Sequence, residues 1–83
     1  MPRFIAAHTV PFTEAQLKDL TKETLPAGVT WKVTYCDFDD SKFFCDWDAP
    51  NKDVIAEEFE RLNIPFDAIY PVKIFNPAKA DFE

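Results

Sequence analysis

The sequence has little of what membrane or nucleic-acid partners require. No apolar run approaches the roughly 20 residues that cross a bilayer, and the N-terminus lacks a basic start followed by a long apolar stretch. Basic residues are few, since 9 Lys and Arg face 15 Asp and Glu and leave a net charge of -6. Such a charge disfavours phosphate backbones and anionic membrane surfaces. We therefore expect a soluble cytoplasmic protein with no membrane and no nucleic acid among its partners.

Cysteine is also scarce, and the two thiols, Cys36 and Cys45, are too few for a disulfide framework. Their spacing is too long for a C-x-x-C redox pair. Strict alternation along a hairpin would place them on opposite faces, where a disulfide cannot form. The sequence therefore predicts two reduced thiols.

The sequence does contain enough hydrophobic residues to form one core. Hydrophobic residues make up 47% of the chain and aromatic residues 16%, which is typical of a globular protein and not of a disordered one. A chain of 83 residues has room for one compact domain, which excludes a multi-domain enzyme. We predict a single domain over residues 1–75, followed by a C-terminal tail over residues 76–83.

Hydrophobic periodicity predicts two helices set among four strands. Thr13 and Gln16 form the capping box of a first helix that closes near residues 26–28, and Pro50 or Asn51 starts a second helix. Alternating residues predict strands over residues 3–10, 29–36, 43–49 and 68–75. This order is the ferredoxin-like βαββαβ pattern, an α+β fold with a four-stranded antiparallel sheet and both helices on one face.

In that topology the first and third strands are central, and Pro71, which cannot donate to a ladder, requires an edge position for the last strand. Alternation predicts that the helices cover the more apolar set: Val29, Trp31, Val33, Tyr35, Phe43, Cys45, Trp47, Tyr70, Val72 and Ile74. The open face then carries Thr30, Lys32, Thr34, Cys36, Phe44, Asp46, Asp48, Ile69, Pro71, Lys73 and Phe75.

The first strand can be placed either way by its composition. Phe4, Ala6 and His8 form one set, and Ile5 and Ala7 belong to the other. If the His8 set faces outward, His8 lies on the open face together with three potential ligands: Cys36, Asp46 and Asp48. These are the side-chain types that a transition-metal or acid/base site needs. Each also has a structural interpretation, as a hydrogen-bonded histidine, an inert thiol or a solvated carboxylate.

Four segments of the chain resemble one known family. They are residues 1–4 with His8, residues 28–31, residues 44–50, where family members read like F-C-x-x-E-A-P, and residues 67–72, similar to the family's D-E-I-x-x-V close. The family is that of small nickel-binding, ferredoxin-like proteins of the dimeric α/β-barrel superfamily, formerly known as a domain of unknown function. The resemblance spans most of the chain.

The resemblance implies a homodimer whose sheets pack face to face, and a bound Ni²⁺ or other divalent transition metal. Family members often carry an acid where this chain has Ala6, and nickel binders tend to carry histidines near the end of the second helix, where residues 57–63 have none. A metal site in this chain would therefore combine His8 with non-histidine ligands, for which the candidates are Cys36, Asp46 and Asp48.

The sequence thus predicts a small homodimer, joined through the open sheet face, with a weak metal-binding role. An alternative is a cofactor-free isomerase or monooxygenase of the dimeric α/β-barrel type. In that case His8 is the general base, and Asp46 or Asp48 orients it in a cavity between sheet and helices. A second alternative is a non-enzymatic interaction module. The enzyme is the weaker of these hypotheses, because the sequence offers one titratable pair and no evident oxyanion donors.

Overall fold

The structure is a computed structural model that describes residues 2–83. This part of the chain forms an α+β fold with two helices, a four-stranded antiparallel sheet and a small two-stranded sheet. The elements in chain order are β1 (Arg3–Thr9), α1 (Glu14–Leu20), β2 (Thr30–Asp37), β3 (Lys42–Asp48), α2 (Lys52–Arg61), β4 (Ala68–Val72), β5 (Phe75–Asn76) and β6 (Asp81–Phe82).

The first helix begins at the predicted capping box. The Thr13 hydroxyl accepts a hydrogen bond from the Gln16 backbone N–H at 3.2 Å, and the Gln16 side-chain oxygen accepts from the Thr13 N–H at 2.8 Å. The helix ends at Leu20, earlier than the predicted close at residues 26–28. Thr21 is its C-cap, and the segment from residue 21 to residue 29 runs as turn and loop.

The second helix begins and ends where the sequence predicts. Asn51 is its N-cap, and the Asn51 side chain accepts from the Val54 N–H at 3.0 Å. Asn63 follows the helix with a φ of 56°, the left-handed conformation that asparagine tolerates. The buried face of α2 contributes Ile55 and Phe59 to the core.

The four strands of the main sheet are ordered β2-β3-β1-β4. The first and third strands are therefore inner strands, and Pro71 lies on the edge strand β4, as its missing N–H requires. The core lies between this sheet and the helices. The buried apolar residues that form one cluster there are Phe4, Ala6, Val29, Cys45, Trp47, Ala49, Ile55 and Phe59.

The predicted faces of β2 are wrong beyond Trp31. A β-bulge lies between Trp31 and Val33, so Trp31 pairs with Trp47 whereas Val33 pairs with Asp46. The extra residue reverses the alternation for the rest of the strand, because paired residues share a face. Four residues exchange faces as a result: Val33 and Tyr35 move to the open face, and Thr34 and Cys36 move to the helix-covered face.

The predicted faces of β4 are also reversed. Ile69 pairs with Ala6 of the buried set and packs against the core, whereas Tyr70 pairs with Ile5. The two sides of β4 are both apolar, so hydrophobicity did not distinguish them.

The first strand, whose face the sequence left open, turns His8 toward the helices. Its backbone pairs with that of Phe43, which is fully buried on the helix-covered face of β3.

The C-terminal residues contain more structure than the predicted tail. Strand β4 ends at Val72, before the predicted end at residue 75. Strands β5 and β6 then form a short hairpin in which the rings of Phe75 and Phe82 meet edge to face at 5.3 Å. Within residues 2–83, none of the helices has the length and apolar character that a membrane crossing requires.

Candidate functional site

The structure separates the four residues predicted as metal ligands. His8 lies on the helix-covered face and is 1% exposed. Cys36 shares that face by register but is exposed, because it lies on the edge strand β2. Asp46 and Asp48 project from β3 toward the open face, on the other side of the sheet from His8. The two carboxylates therefore do not lie beside the imidazole.

The imidazole of His8 is held in one orientation and one tautomer. Its Nδ1 lies 2.8 Å from the carbonyl oxygen of Pro65, and a carbonyl can only accept, so Nδ1 carries the proton. The ring packs edge-on against Phe59, with ring centres 4.7 Å apart, and near Phe12. Its other nitrogen, Nε2, is buried and has no hydrogen-bond partner among residues 2–83. In the neutral ring this atom is a free acceptor.

Burial lowers the pKa of His8 below its ordinary value, because the charged form loses its hydration. The Pro65 carbonyl and the Asp67 carboxylate act in the opposite direction but do not outweigh desolvation. At neutral pH the ring is therefore uncharged, and Nε2 presents a lone pair.

His8 lines a cavity of about 310 Å³ between the sheet and the two helices. Phe12 and the α1 residues Leu17 and Leu20 border the cavity on one side, and Phe59 borders it from α2. All seven residues of α1 are exposed or half-buried, so this helix does not close tightly on the sheet. The cavity has the size of a small ligand pocket.

A second residue that lines this cavity has an unpaired polar atom. The indole Nε1 of Trp47 is buried and, among the described residues, lacks an acceptor. Trp47 stacks on Trp31 at 6.1 Å and meets Phe59 edge-on at 5.5 Å. Both tryptophans line the cavity, together with His8.

Cys45 also lines the cavity, as a neutral thiol. Burial raises the pKa of Cys45 to about 11, although a hydrogen bond from the Thr34 hydroxyl to its sulfur at 3.2 Å acts in the opposite direction. The Thr34 hydroxyl in turn accepts from the Trp31 indole N–H at 2.7 Å. Because the thiolate is the form that attacks and binds metals, Cys45 is neither a nucleophile nor a ready ligand at neutral pH.

Cys36 and Cys45 are both free, and they share one face of the sheet. The sequence pattern predicts two free thiols because it places the cysteines on opposite faces of the sheet. The thiols are free, but the predicted faces are wrong. Cys36 pairs with Phe43 and is therefore diagonal to Cys45. Diagonal neighbours on paired strands are about 7–8 Å apart, beyond the usual reach of a disulfide.

The open face of the sheet combines exposed apolar side chains with charged ones. Four of its large side chains are well exposed: Val33 at 47%, Tyr35 at 62%, Phe44 at 42% and Tyr70 at 55%. The pairing sets them in two rows across the sheet, one of Tyr35, Phe44 and Ala7 and one of Val33, Asp46, Ile5 and Tyr70. Exposed apolar patches of this kind mark interaction sites.

One ion pair lies within this open face. The Arg3 guanidinium donates to both carboxylate oxygens of Asp46, with Nε to Oδ1 at 3.0 Å and the second bond from Nη2 to Oδ2. The hydrogen bond to Asp46 raises the pKa of Arg3. Asp46 is thus committed to Arg3, and the Pro65 carbonyl occupies the orienting position beside His8 that the enzyme hypothesis gave to a carboxylate.

Sequence reasoning did not identify Trp47 and Pro65 as partners in a site with His8. Trp47 was placed in the core by its alternation, and nothing in a strand pattern shows that an indole N–H remains unpaired. Pro65 is 57 residues away from His8, and its backbone carbonyl gives no signal in the side-chain sequence.

Comparison with protein families gives one match, which covers nearly the whole fold. Residues 4–72 match the family described as nickel responsive protein SCO4226-like. The chain belongs to the SCO4226-like family. Comparisons with curated proteins and with solved structures gave no match.

The donors of this family member do not fit a nickel ion within one chain. Among residues 2–83, no three His, Cys, Asp or Glu side chains lie close enough together to hold a metal. The residues that line the cavity with His8 are mainly apolar and aromatic, and the thiol among them, that of Cys45, is protonated. Nickel sites need several imidazole, thiolate or carboxylate donors, which this arrangement does not supply.

Proposed function

We propose that this SCO4226-like protein acts in a response to nickel as a homodimer whose two open sheet faces pack against each other. The observation that carries the proposal is the cluster of exposed apolar side chains on that face, namely Val33, Tyr35, Phe44 and Tyr70. The description of the family supports the link to nickel.

We assign the fold of the protein to the ferredoxin-like class, and the strand order β2-β3-β1-β4 supports this assignment. A four-stranded sheet in this class has one face for its helices and one face free. Covering the free face with a second copy would bury the two apolar rows without exposing a new surface. The composition and the two free thiols support a cytoplasmic location.

The borders of the open face support a defined register for such a dimer. At one end, the Lys42 ammonium donates to the Thr9 hydroxyl at 2.8 Å, and that hydroxyl donates to Asp67 at 2.6 Å. Arg3, toward the other end, pairs with Asp46, which lies inside the face in the row between Val33 and Ile5. A charge pair inside an apolar patch has to be matched by the partner surface, and this matching fixes the register of the two copies.

The proposed role in the nickel response is that of an assembly or interaction protein and not of a metal carrier. The dispersed positions of His8, Cys36, Asp46 and Asp48 support this choice. Calorimetric titration with Ni²⁺ should give the same result for the parent and for His8→Gln. Stoichiometric binding of Ni²⁺ by the parent that is lost in His8→Gln would contradict the proposed role.

The dimer is tested by sedimentation equilibrium of Phe44→Ser. We expect the parent to sediment as a dimer at micromolar concentration and Phe44→Ser to sediment largely as a monomer. Each protomer carries a net charge of -6, so added salt should strengthen the parent dimer by screening the repulsion between copies.

Phe75→Ser is the matched control, because Phe75 is an equally exposed phenylalanine on the C-terminal hairpin, outside the four-stranded sheet. This variant should keep the mass of the parent. A parent that is monomeric throughout would contradict the dimer, and a monomeric Phe75→Ser with a dimeric Phe44→Ser would assign the interface to the hairpin instead.

A further inference from the structure

Two residues that line the cavity between the helices and the sheet, His8 and Trp47, each have a buried polar atom without a partner among the described residues, and the two atoms have opposite hydrogen-bonding roles. His8 Nε2 is an acceptor, because the proton of the neutral ring is on Nδ1 and is donated to Pro65. Trp47 Nε1 can only donate. Buried polar atoms are nearly always paired in folded proteins, so two unpaired atoms on residues that line one cavity call for an explanation.

The two polar atoms flank one aromatic ring. The centre of the Phe59 ring is 4.7 Å from that of His8 and 5.5 Å from that of Trp47, and both contacts are edge-on. Phe12 and Trp31 add further aromatic surface to the same cavity. Walls of this kind favour a flat aromatic guest, which can stack or meet the rings edge-on.

The charges around the cavity select against ions. Among the described residues, the lining includes no lysine or arginine, and its one carboxylate, Glu23, lies 3.6 Å from the guanidinium of Arg61. An anionic guest would find no counter-ion, and a cationic guest would find a carboxylate already paired. Apolar walls also penalise any buried charge.

We propose that this cavity binds a small neutral aromatic molecule that donates a hydrogen bond to His8 Nε2 and accepts one from Trp47 Nε1. The volume of about 310 Å³ lies at the lower end of the range for small-molecule pockets, so the guest is a single-ring or fused two-ring compound.

This binding site is independent of the proposed dimer. His8 and Trp47 lie on the helix-covered side of the sheet, whereas Phe44 and Tyr35 lie on the open side. Loss of the dimer by Phe44→Ser should therefore leave ligand binding in place, so the two proposals can fail separately.

The test uses three probes that differ by one feature each. Methyl 4-hydroxybenzoate carries a hydroxyl donor and a carbonyl acceptor, methyl benzoate lacks the donor, and 4-hydroxybenzoate carries a negative charge. Because the chain has only two tryptophans and both line the cavity, tryptophan fluorescence reports binding directly. We expect methyl 4-hydroxybenzoate to bind about tenfold more tightly than methyl benzoate, and the anion to bind most weakly.

Two variants assign the hydrogen bonds. His8→Phe keeps an aromatic ring but removes the acceptor, so it should bind both esters with the affinity that the parent has for methyl benzoate. Trp47→Phe removes the donor and should weaken both esters by a similar factor, measured by calorimetry because one fluorophore is lost. A third variant, Leu20→Trp, fills the cavity from α1 and should abolish binding of every probe.

Circular dichroism establishes that each variant is folded before its affinity is measured. The proposal is overturned if the parent binds the two esters equally, if His8→Phe retains the preference for the hydroxyl, or if 4-hydroxybenzoate binds best. Binding that Leu20→Trp leaves unchanged would place the probe outside the cavity and would also overturn it.

Discussion

Phe43 and Phe44 are neighbours of the same type on the same strand, yet one is fully buried and the other is 42% exposed. Phe43 faces the helices and contacts the rings of Phe12 and Phe38 at 5.1 and 5.4 Å. Phe44 faces away from them, in a row with Tyr35. The helix-covered face of the sheet therefore stabilises the fold, and the open face is free for a partner.

The two faces also differ in the kind of polar groups that they carry. On the open face these groups are charged: Asp46 has both oxygens bonded to Arg3, and Oδ1 of Asp48 is buried without a partner among the described residues. On the helix-covered face they are neutral, since His8 and Trp47 each retain an unpaired nitrogen. A partner for the open face must therefore match apolar and charged side chains, whereas an occupant of the cavity on the helix-covered face must be neutral.

The largest expected effect that tests this comparison is that of Phe43→Ala against Phe44→Ala. Removing the buried ring of Phe43 should lower the free energy of unfolding by about 3–5 kcal/mol. Phe44→Ala should lower that of the monomer by less than about 1 kcal/mol, because its ring is already half in water. Urea denaturation at low protein concentration measures both.

The same pair of variants distinguishes core from interface at high concentration. A dimeric parent gains stability as concentration rises, and Phe43→Ala should retain that gain whereas Phe44→Ala should lose it. Equal losses of monomer stability in the two variants would show that the faces are not distinct in the way the burial indicates.

The local features of this fold could be predicted from the sequence, because they depend on neighbouring residues. Thr13 and Gln16 make the capping box with their own backbone, Asn51 caps the second helix, and the φ of Asn63 follows from its type. The edge position of β4 was predictable as well, since it follows from the missing N–H of Pro71.

The face assignments could not be predicted as reliably, because they require the correct count of residues along each strand. The bulge after Trp31 adds one residue, and nothing in the alternation of the following residues reveals it. Both sides of β4 are apolar, so its alternation carries no signal, and on β2 the apolar residues Val33 and Tyr35 lie on the open face. The candidate site failed for the same reason, because Asp46 shares a face with His8 only if β1 is turned outward.

The reactivity of the two cysteine thiols shows how far the helices cover their face of the sheet. Both project toward the helices, but Cys45 is buried on the inner strand β3 and Cys36 is exposed on the edge strand β2. With the pKa of Cys45 at about 11, only about one thiol in a thousand is ionised at pH 8. Titration with a disulfide reagent should therefore find one fast thiol per folded chain and two after unfolding.

Cys36→Ser identifies the fast thiol, since the folded variant should have none. Two fast thiols in the folded parent would mean that the helices do not protect the inner strand. The effect is expected to be at least 100-fold in rate, because burial limits access to the sulfur in addition to suppressing its ionisation.

The smallest expected effect is the pH dependence that His8 gives to stability. Burial lowers the pKa of His8 in the folded chain below the unfolded value of about 6.5, so the unfolded state binds a proton that the folded state does not. The contribution of the neutral His8 ring to the free energy of unfolding is fully present above pH 6.5. It is lost as the pH falls below 6.5, at up to about 1.4 kcal/mol for each pH unit.

We expect the parent to lose more stability than His8→Gln between pH 7 and pH 5, by at most about 2 kcal/mol, measured by urea denaturation. The carboxylates, including Asp67 near the ring, are present in both proteins, so the difference between them isolates His8. Because the chain has one histidine, its ring protons give the folded pKa directly by NMR. A folded pKa at or above 6.5, or parallel pH profiles for the two proteins, would show that His8 is hydrated when folded and that the helix-covered face is not sealed around its ring.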